Sequence, residues 1–272
     1  KSEQFYAKFH WISEQGVRNL DQASANKIAG LDADYSLRDL QLNIARKNYP
    51  SWTLKFQVMS LTQAHSASFN VLDVTKTWPH AEFPLIEIGQ MTLEQNPDNY
   101  FAQVEQLAFS PGNMVPGIEA SPDKMLIGRM MSYPDAQRYR MNANYADIAI
   151  NQPRCPVMTP TYCDSVTFNS NLSGLLPNYL PSNKYKNLSK LADNKYTEQG
   201  QQFSGSIGRF DSSLDDNYSQ PRIFYTKVLS DESRRMLASN IANHLSLVTS
   251  KDIVAIVMRH FNEIEPKLVK EI

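Results

Sequence analysis

The strictest constraint in this chain is a set of strand patterns too few to close on themselves. In SWTLKFQVMS, Trp52, Leu54, Phe56 and Val58 face one way, and Thr53, Lys55 and Gln57 face the other. That alternation is the period-2 signature of a half-buried strand. FYAKFHWI repeats it, with Phe5, Ala7, Phe9 and Trp11 on one side and His10 on the other. Phe83 to Leu93 reads as a third strand, with Gly89 placed for a bulge. Three strands cannot close a barrel, so residues 1–95 read as part of a larger sheet. Helices interrupt it. Asp21 opens one, and Ser36 with Asp39 resembles a capping box ahead of the stripe Leu37, Leu40 and Ile44.

The rest of the chain changes character twice. Residues 96–212 are rich in Asn, Pro, Ser and Tyr and show little sustained period. Recurrent Tyr, Phe and Leu favour an extended arm lying on other protein over disorder. Ser121 as cap, Pro122 at the first helical position and Asp123 predict one helix within the arm, running through KMLIGRMMSY. Pro134 would normally end or kink it, though its ring is tolerated where the preceding turn distorts. Residues 213–272 read as helical, with Ser230 and Ser250 as caps and Pro266 as a stop. The fold class is therefore α+β, in three parts: 1–95, 96–212 and 213–272.

Composition removes several functions. Lys plus Arg (27) against Asp plus Glu (28) leaves a net charge of −1, unlike a nucleic-acid binder. No run approaches the roughly eighteen apolar residues of a membrane span. The sequence has no GxSxG elbow, P-loop, dinucleotide fingerprint or HExxH. Two cysteines, Cys155 and Cys163, exclude a disulfide scaffold, though they can close a small loop or remain free thiols. Asn171, Asn187 and Asn217 begin glycosylation sequons, and Lys1 is not a methionine. Together these set an expectation of secretion, with a peroxisomal or cytoplasmic protein as the alternative. The terminal Lys-Glu-Ile does not resemble the SKL peroxisomal address.

RMMSYPDAQRYR, residues 129–140, holds the one constellation with chemical promise. On a helix Arg129 and Tyr133 share a face, and Arg140 falls near it. A guanidinium beside a phenol oxygen favours the phenolate, which is a recognised axial ligand of haem iron. A further arginine suits a haem propionate. The spacing alone fits equally an Arg–Tyr stack on a solvated helix.

Taken in order, KFHW, YPSWTLKFQVM, TKTWPHAEFPLIEIG, NPDNYFAQVEQLAFSPGNMVPGIEASPDKMLIGR, YPDAQRYR, RFDSSLDDNYSQPRIFY and NIANHL resemble the carboxyl-terminal half of the haem catalase family. The resemblance implies an eight-stranded antiparallel barrel, of which this chain holds the later part, then a wrapping arm and a helical domain, assembled as a tetramer. It implies that Tyr133 is the proximal iron ligand, that Arg129 hydrogen-bonds its phenolate, and that Arg140 pairs a propionate. Met131 stands where the family has phenylalanine, and methionine fills that volume more loosely. The family's distal histidine and asparagine match nothing here, which sets the expectation of a cleaved or split enzyme. Its partner would be a complementary amino-terminal chain.

The family's NADPH site is matched in part, by Trp78, His80, Phe224 and Val228. Ile12 replaces a lysine and Thr77 a valine, so a charge-assisted phosphate contact is missing and NADPH is disfavoured. Two function classes follow. One is haem-dependent dismutation of hydrogen peroxide, with this chain supplying the proximal side. The other is a catalase-derived storage, structural or interaction protein without peroxide chemistry, a drift that Met131 and Ile12 would suit.

Overall fold

The computed structural model describes residues 3–115, 117–152, 208 and 211–272. The chain divides into two compact units, residues 1–95 with 208–272, and residues 96–207.

In the first unit, β1 (Phe5–Ser13), β2 (Ser51–Ser60) and β3 (Ile86–Thr92) form an antiparallel sheet in the order β1-β2-β3. The alternating segments are thus strands. β3 starts three residues later than its pattern suggests, because Pro84 cannot donate to a ladder and Phe83 turns into the core. The register slips between Leu54 and Lys55, whose partners are Gly89 and Glu87, so Ile88 is the extra residue of a bulge.

The register aligns the apolar residues on one face: Phe9 lies opposite Phe56, Trp11 opposite Leu54, and Met91 opposite Trp52. This face is the open one. Phe9 is 48% and Trp11 52% exposed, and Phe5, Ile86 and Met91 are exposed too. The covered face carries Tyr6, Lys8, Gln57 and Met59. Chain after β2 folds back over it, and Trp78 and Phe83 pack with Met59, bordered by Tyr6, Ala64, Phe69 and Val71.

A buried amide ties this layer together. Gln57 is 0% exposed, and its Nε2 donates to the carbonyls of Trp78 and Phe83. Its Oε1 faces His10 Nε2 at 2.9 Å, which assigns the proton there to the histidine. Lys8 donates to the Lys76 carbonyl (2.8 Å) and sits over the Trp78 ring, and burial pushes its ammonium pKa down. Gln57→Leu keeps the volume but leaves two buried carbonyls without donors. It is expected to cost about 2–4 kcal/mol, read as a lower denaturant midpoint at unchanged slope.

Helices α1 (Gln22–Leu31) and α2 (Tyr35–Ala45) connect β1 to β2. Asp21 caps α1 as its sequence suggests. Ser36 does not cap α2: that helix starts a residue earlier, after Asp34, and has no side-chain cap. α3 (Leu61–Ser66), which has no signal in the apolar periodicity, is held by a capping box of Ser60 and Gln63.

Beyond residue 208, α5 (Ser219–Ile223) runs into a π-helical turn, Phe224–Val228. α6 (Asp231–Leu245), capped by Ser230, α7 (Lys251–Ile264) and α8 (Pro266–Glu271) follow. Tyr225, Ala238 and Leu268 make their core. Pro266 stops α7 and starts α8, where its missing N–H costs nothing.

Candidate functional site

The chemistry-bearing residues of the second unit sit on α4 (Lys124–Arg140). Its cap is Asp123, whose carboxylate accepts from Met125 N at 2.8 Å, rather than Ser121. Pro134 lies inside the helix and does not end it. A proline there leaves the carbonyl of Met130 without its helical donor, a weak point in the middle of the element.

Arg129 and Tyr133 meet across one turn. Arg129 Nη2 donates to the Tyr133 oxygen at 3.4 Å, and the guanidinium carbon lies 5.2 Å from the ring centroid. A half-buried phenol thus has a cation at both its oxygen and its face. Met131, on the other side of the helix, is 70% exposed.

Arg140 is placed differently from a free propionate partner. It donates to the carbonyls of Glu105 (2.6 Å) and Leu107 (2.7 Å) and twice to Gln137 Oε1 (3.0 and 2.7 Å). Gln137 is buried and donates to the Phe109 carbonyl at 3.0 Å. Asn151 completes the set, accepting from Ala108 N and donating to the carbonyls of Gln106 and Tyr145. Sequence reasoning missed Gln137 and Asn151, since nothing in an isolated amide announces main-chain partners some 30 to 45 residues away.

The four nucleotide-site candidates lie in the first unit. Trp78 is buried, with Nε1 donating to the Val71 carbonyl at 3.1 Å, so its ring is core. His80 is exposed, its ring 6.3 Å edge-on from that of His10. Gln220, which the sequence did not single out, locks α5 to the same loop. It accepts from Thr77 N (2.9 Å) and donates to the Thr77 carbonyl (3.0 Å). Phe224 and Val228, one and two turns on, remain exposed, and so does Ile12. The structure thus anchors α5 beside Trp78 and offers apolar surface, but Ile12 brings no cation.

Asp216 orders the start of α5. Hydrogen bonds from Ser219, then from the Tyr218 amide, hold its carboxyl down at about 2, against an ordinary 3.8. A depressed carboxylate contributes its tethering above the ordinary value and loses it as pH falls through the folded one. Amide exchange at Tyr218 and Ser219 is therefore expected to stay slow at pH 4 and to accelerate toward pH 2. Asp216→Asn should flatten that dependence.

Asn217 is exposed but its amide is engaged: Nδ2 donates to the carbonyls of Ser212 and Asp215, and Oδ1 accepts from Lys76 at 2.7 Å. Asn171, Asn187, Cys155 and Cys163 lie outside the described residues. Among the described residues no cluster of His, Cys, Asp and Glu could hold a metal, and no helix is long and apolar enough to cross a membrane. A metal bound here through Tyr133 would need its remaining ligands from a cofactor.

Comparison with known proteins bears on that point. The catalase family model matches residues 1–186, and the model described as catalase-related immune-responsive matches residues 211–272. A catalase of Glandirana rugosa is 47% identical over 247 residues, covering 90% of this chain and 46% of that protein. A catalase of Rattus norvegicus is 44% identical over 269 residues, 97% of this chain and 49% of its own. A fungal catalase crystal structure superposes with a TM-score of 0.88 at 38% identity, covering 98% of this chain and 54% of that one. Catalase A from Saccharomyces cerevisiae gives 0.87 at 34% identity, over 98% and 55%. The chain spans about half the length of the relatives it matches. Its three-stranded antiparallel sheet and its helices are consistent with an α+β catalase fragment, and the chain belongs to the haem catalase family.

Proposed function

We propose that this chain forms the proximal haem side of a catalase. It would dismutate hydrogen peroxide to water and oxygen with an amino-terminal catalase portion that supplies the distal histidine and asparagine. The Arg129–Tyr133 pair on α4 carries the reading. A phenol oxygen with a guanidinium against it is the right donor chemistry for ferric haem, so these residues fit the group.

When bound, haem supplies the redox chemistry of peroxide cleavage. Tyr133 holds the iron through its phenolate oxygen and donates electron density to it; it moves no proton. Arg129 stabilises the negative charge on that oxygen. Arg140 would share its guanidinium between a haem carboxylate and the carbonyls it already binds. The open sheet face offers the surface against which the missing strands would close, and the completed units would assemble as a tetramer. NADPH is left out of this reading, because Ile12 stands where a cation would meet the nucleotide phosphate.

The test is to prepare this chain together with its amino-terminal portion and record haem absorption and oxygen release from peroxide. A Soret band with a tyrosinate signature and oxygen evolution are expected. A folded, haem-free protein would favour the storage or interaction reading, which the loose, exposed Met131 suits. We also propose a secreted protein with glycan on Asn171 or Asn187 and a Cys155–Cys163 bridge. Asn217 would have to give up one of the two bonds its Nδ2 donates to carry sugar. Intact mass should fall on deglycosylation and rise by the mass of two hydrogens on reduction; unmodified asparagines and two free thiols would overturn this.

A further inference from the structure

We infer that Gln137, Asn151 and Arg140 are positioning residues for Tyr133, forming a side-chain clamp that steadies the end of α4 beyond the turn from which Pro134 removes a helical bond. The inference rests on the proposed role of Tyr133 as the iron ligand.

Segment 105–109 follows a π-helical turn, Phe101–Glu105, and has no strand or helix partner of its own. Side chains serve it instead. Arg140 binds the carbonyls of Glu105 and Leu107, Asn151 binds the carbonyl of Gln106 and the N–H of Ala108, and Gln137 binds the carbonyl of Phe109. Five consecutive residues are thus held through their main chain. Two of the three clamping side chains come from the last turn of α4, and Gln137 Oε1 accepts two bonds from Arg140, coupling them.

The consequence falls on Tyr133. Gln137 lies one turn beyond it on the same face. The turn from Met130 to Pro134, which contains Tyr133, is the one that lacks a helical hydrogen bond, so α4 can hinge there. Asp123 fixes the amino-terminal end of α4, and the clamp fixes the other end. Without it the phenol's direction depends on a weakened turn. Metal ligands need positions held within about half an ångström, which is what such supporting hydrogen bonds provide.

The experiment uses the chain joined with its amino-terminal portion and compares the parent with Gln137→Leu, Asn151→Leu and Gln137→Glu. Three quantities are read: amide exchange at Ala108, haem dissociation into a scavenger, and the tyrosinate–iron absorption. Both leucine variants are expected to speed exchange at Ala108 and haem loss by about tenfold or more, and to shift the tyrosinate band, at a similar global unfolding midpoint. Gln137→Glu keeps the acceptor for Arg140 and should recover most of the parent's haem retention. Faster exchange with parent-like haem retention and absorption would overturn the inference alone, leaving Tyr133 as ligand. Unchanged exchange would overturn it also, because the clamp would then hold nothing. A parent that binds no haem would overturn the proposed function, and this inference with it.

Discussion

Tyr133→Phe is expected to lower haem affinity by more than about a hundredfold. Altering a partner that only orients a metal ligand typically costs about 10–100-fold in affinity, and removing the ligand itself must cost more. Phenylalanine keeps the ring, its position before Pro134 and its contact with the Arg129 guanidinium, so the change isolates the oxygen. Arg129→Ala separates the two roles. It leaves the oxygen in place and removes the cation 3.4 Å from it, so a loss within the 10–100-fold range is expected. Haem titration into apoprotein, with absorption read for the tyrosinate–iron band, distinguishes them: Tyr133→Phe should lack the band, and Arg129→Ala should show it shifted. A Tyr133→Phe protein that retains haem and the parent's rate of peroxide dismutation would remove the proximal assignment.

Strand identity was legible because alternation is a local property: Trp52, Leu54, Phe56 and Val58 announce β2 without reference to anything distant. The face that becomes core was not legible. The apolar face suggests itself, yet the covered one is built around Gln57, whose amide answers two carbonyls from chain 21 and 26 residues away. A glutamine in a strand pattern carries no sign that it will be wholly buried. Caps were readable to within a residue or two, as at Ser121 against Asp123, since several good caps compete at a helix start. Tyr133 and Arg129 were found through family resemblance and their shared helix face. Gln137, Asn151 and Gln220 escaped because their partners are main-chain groups, which every residue has.

Residues 1–272 prepared alone are expected to self-associate, and their amino-terminal catalase portion to reverse it. Phe5, Phe9, Trp11, Ile86 and Met91 line one sheet face with roughly half of each side chain open. Full burial of a large apolar side chain gives about 1.5–3 kcal/mol. Covering the open part of these five is therefore worth on the order of 5 kcal/mol, enough to drive association. β1 and β3 are also edges in this sheet and present unpaired backbone. Phe9→Ala gives a test whose sign reverses with context. In the isolated chain it removes exposed apolar surface and should raise the monomer fraction in sedimentation. In the proposed complete protein Phe9 would become a core residue, and the same change should destabilise by about 3–5 kcal/mol. The two experiments need only one variant. A parent chain that is a cooperative, monodisperse monomer, or a Phe9→Ala effect of the same sign in both preparations, would mean that the open face is an ordinary surface and not half of a barrel.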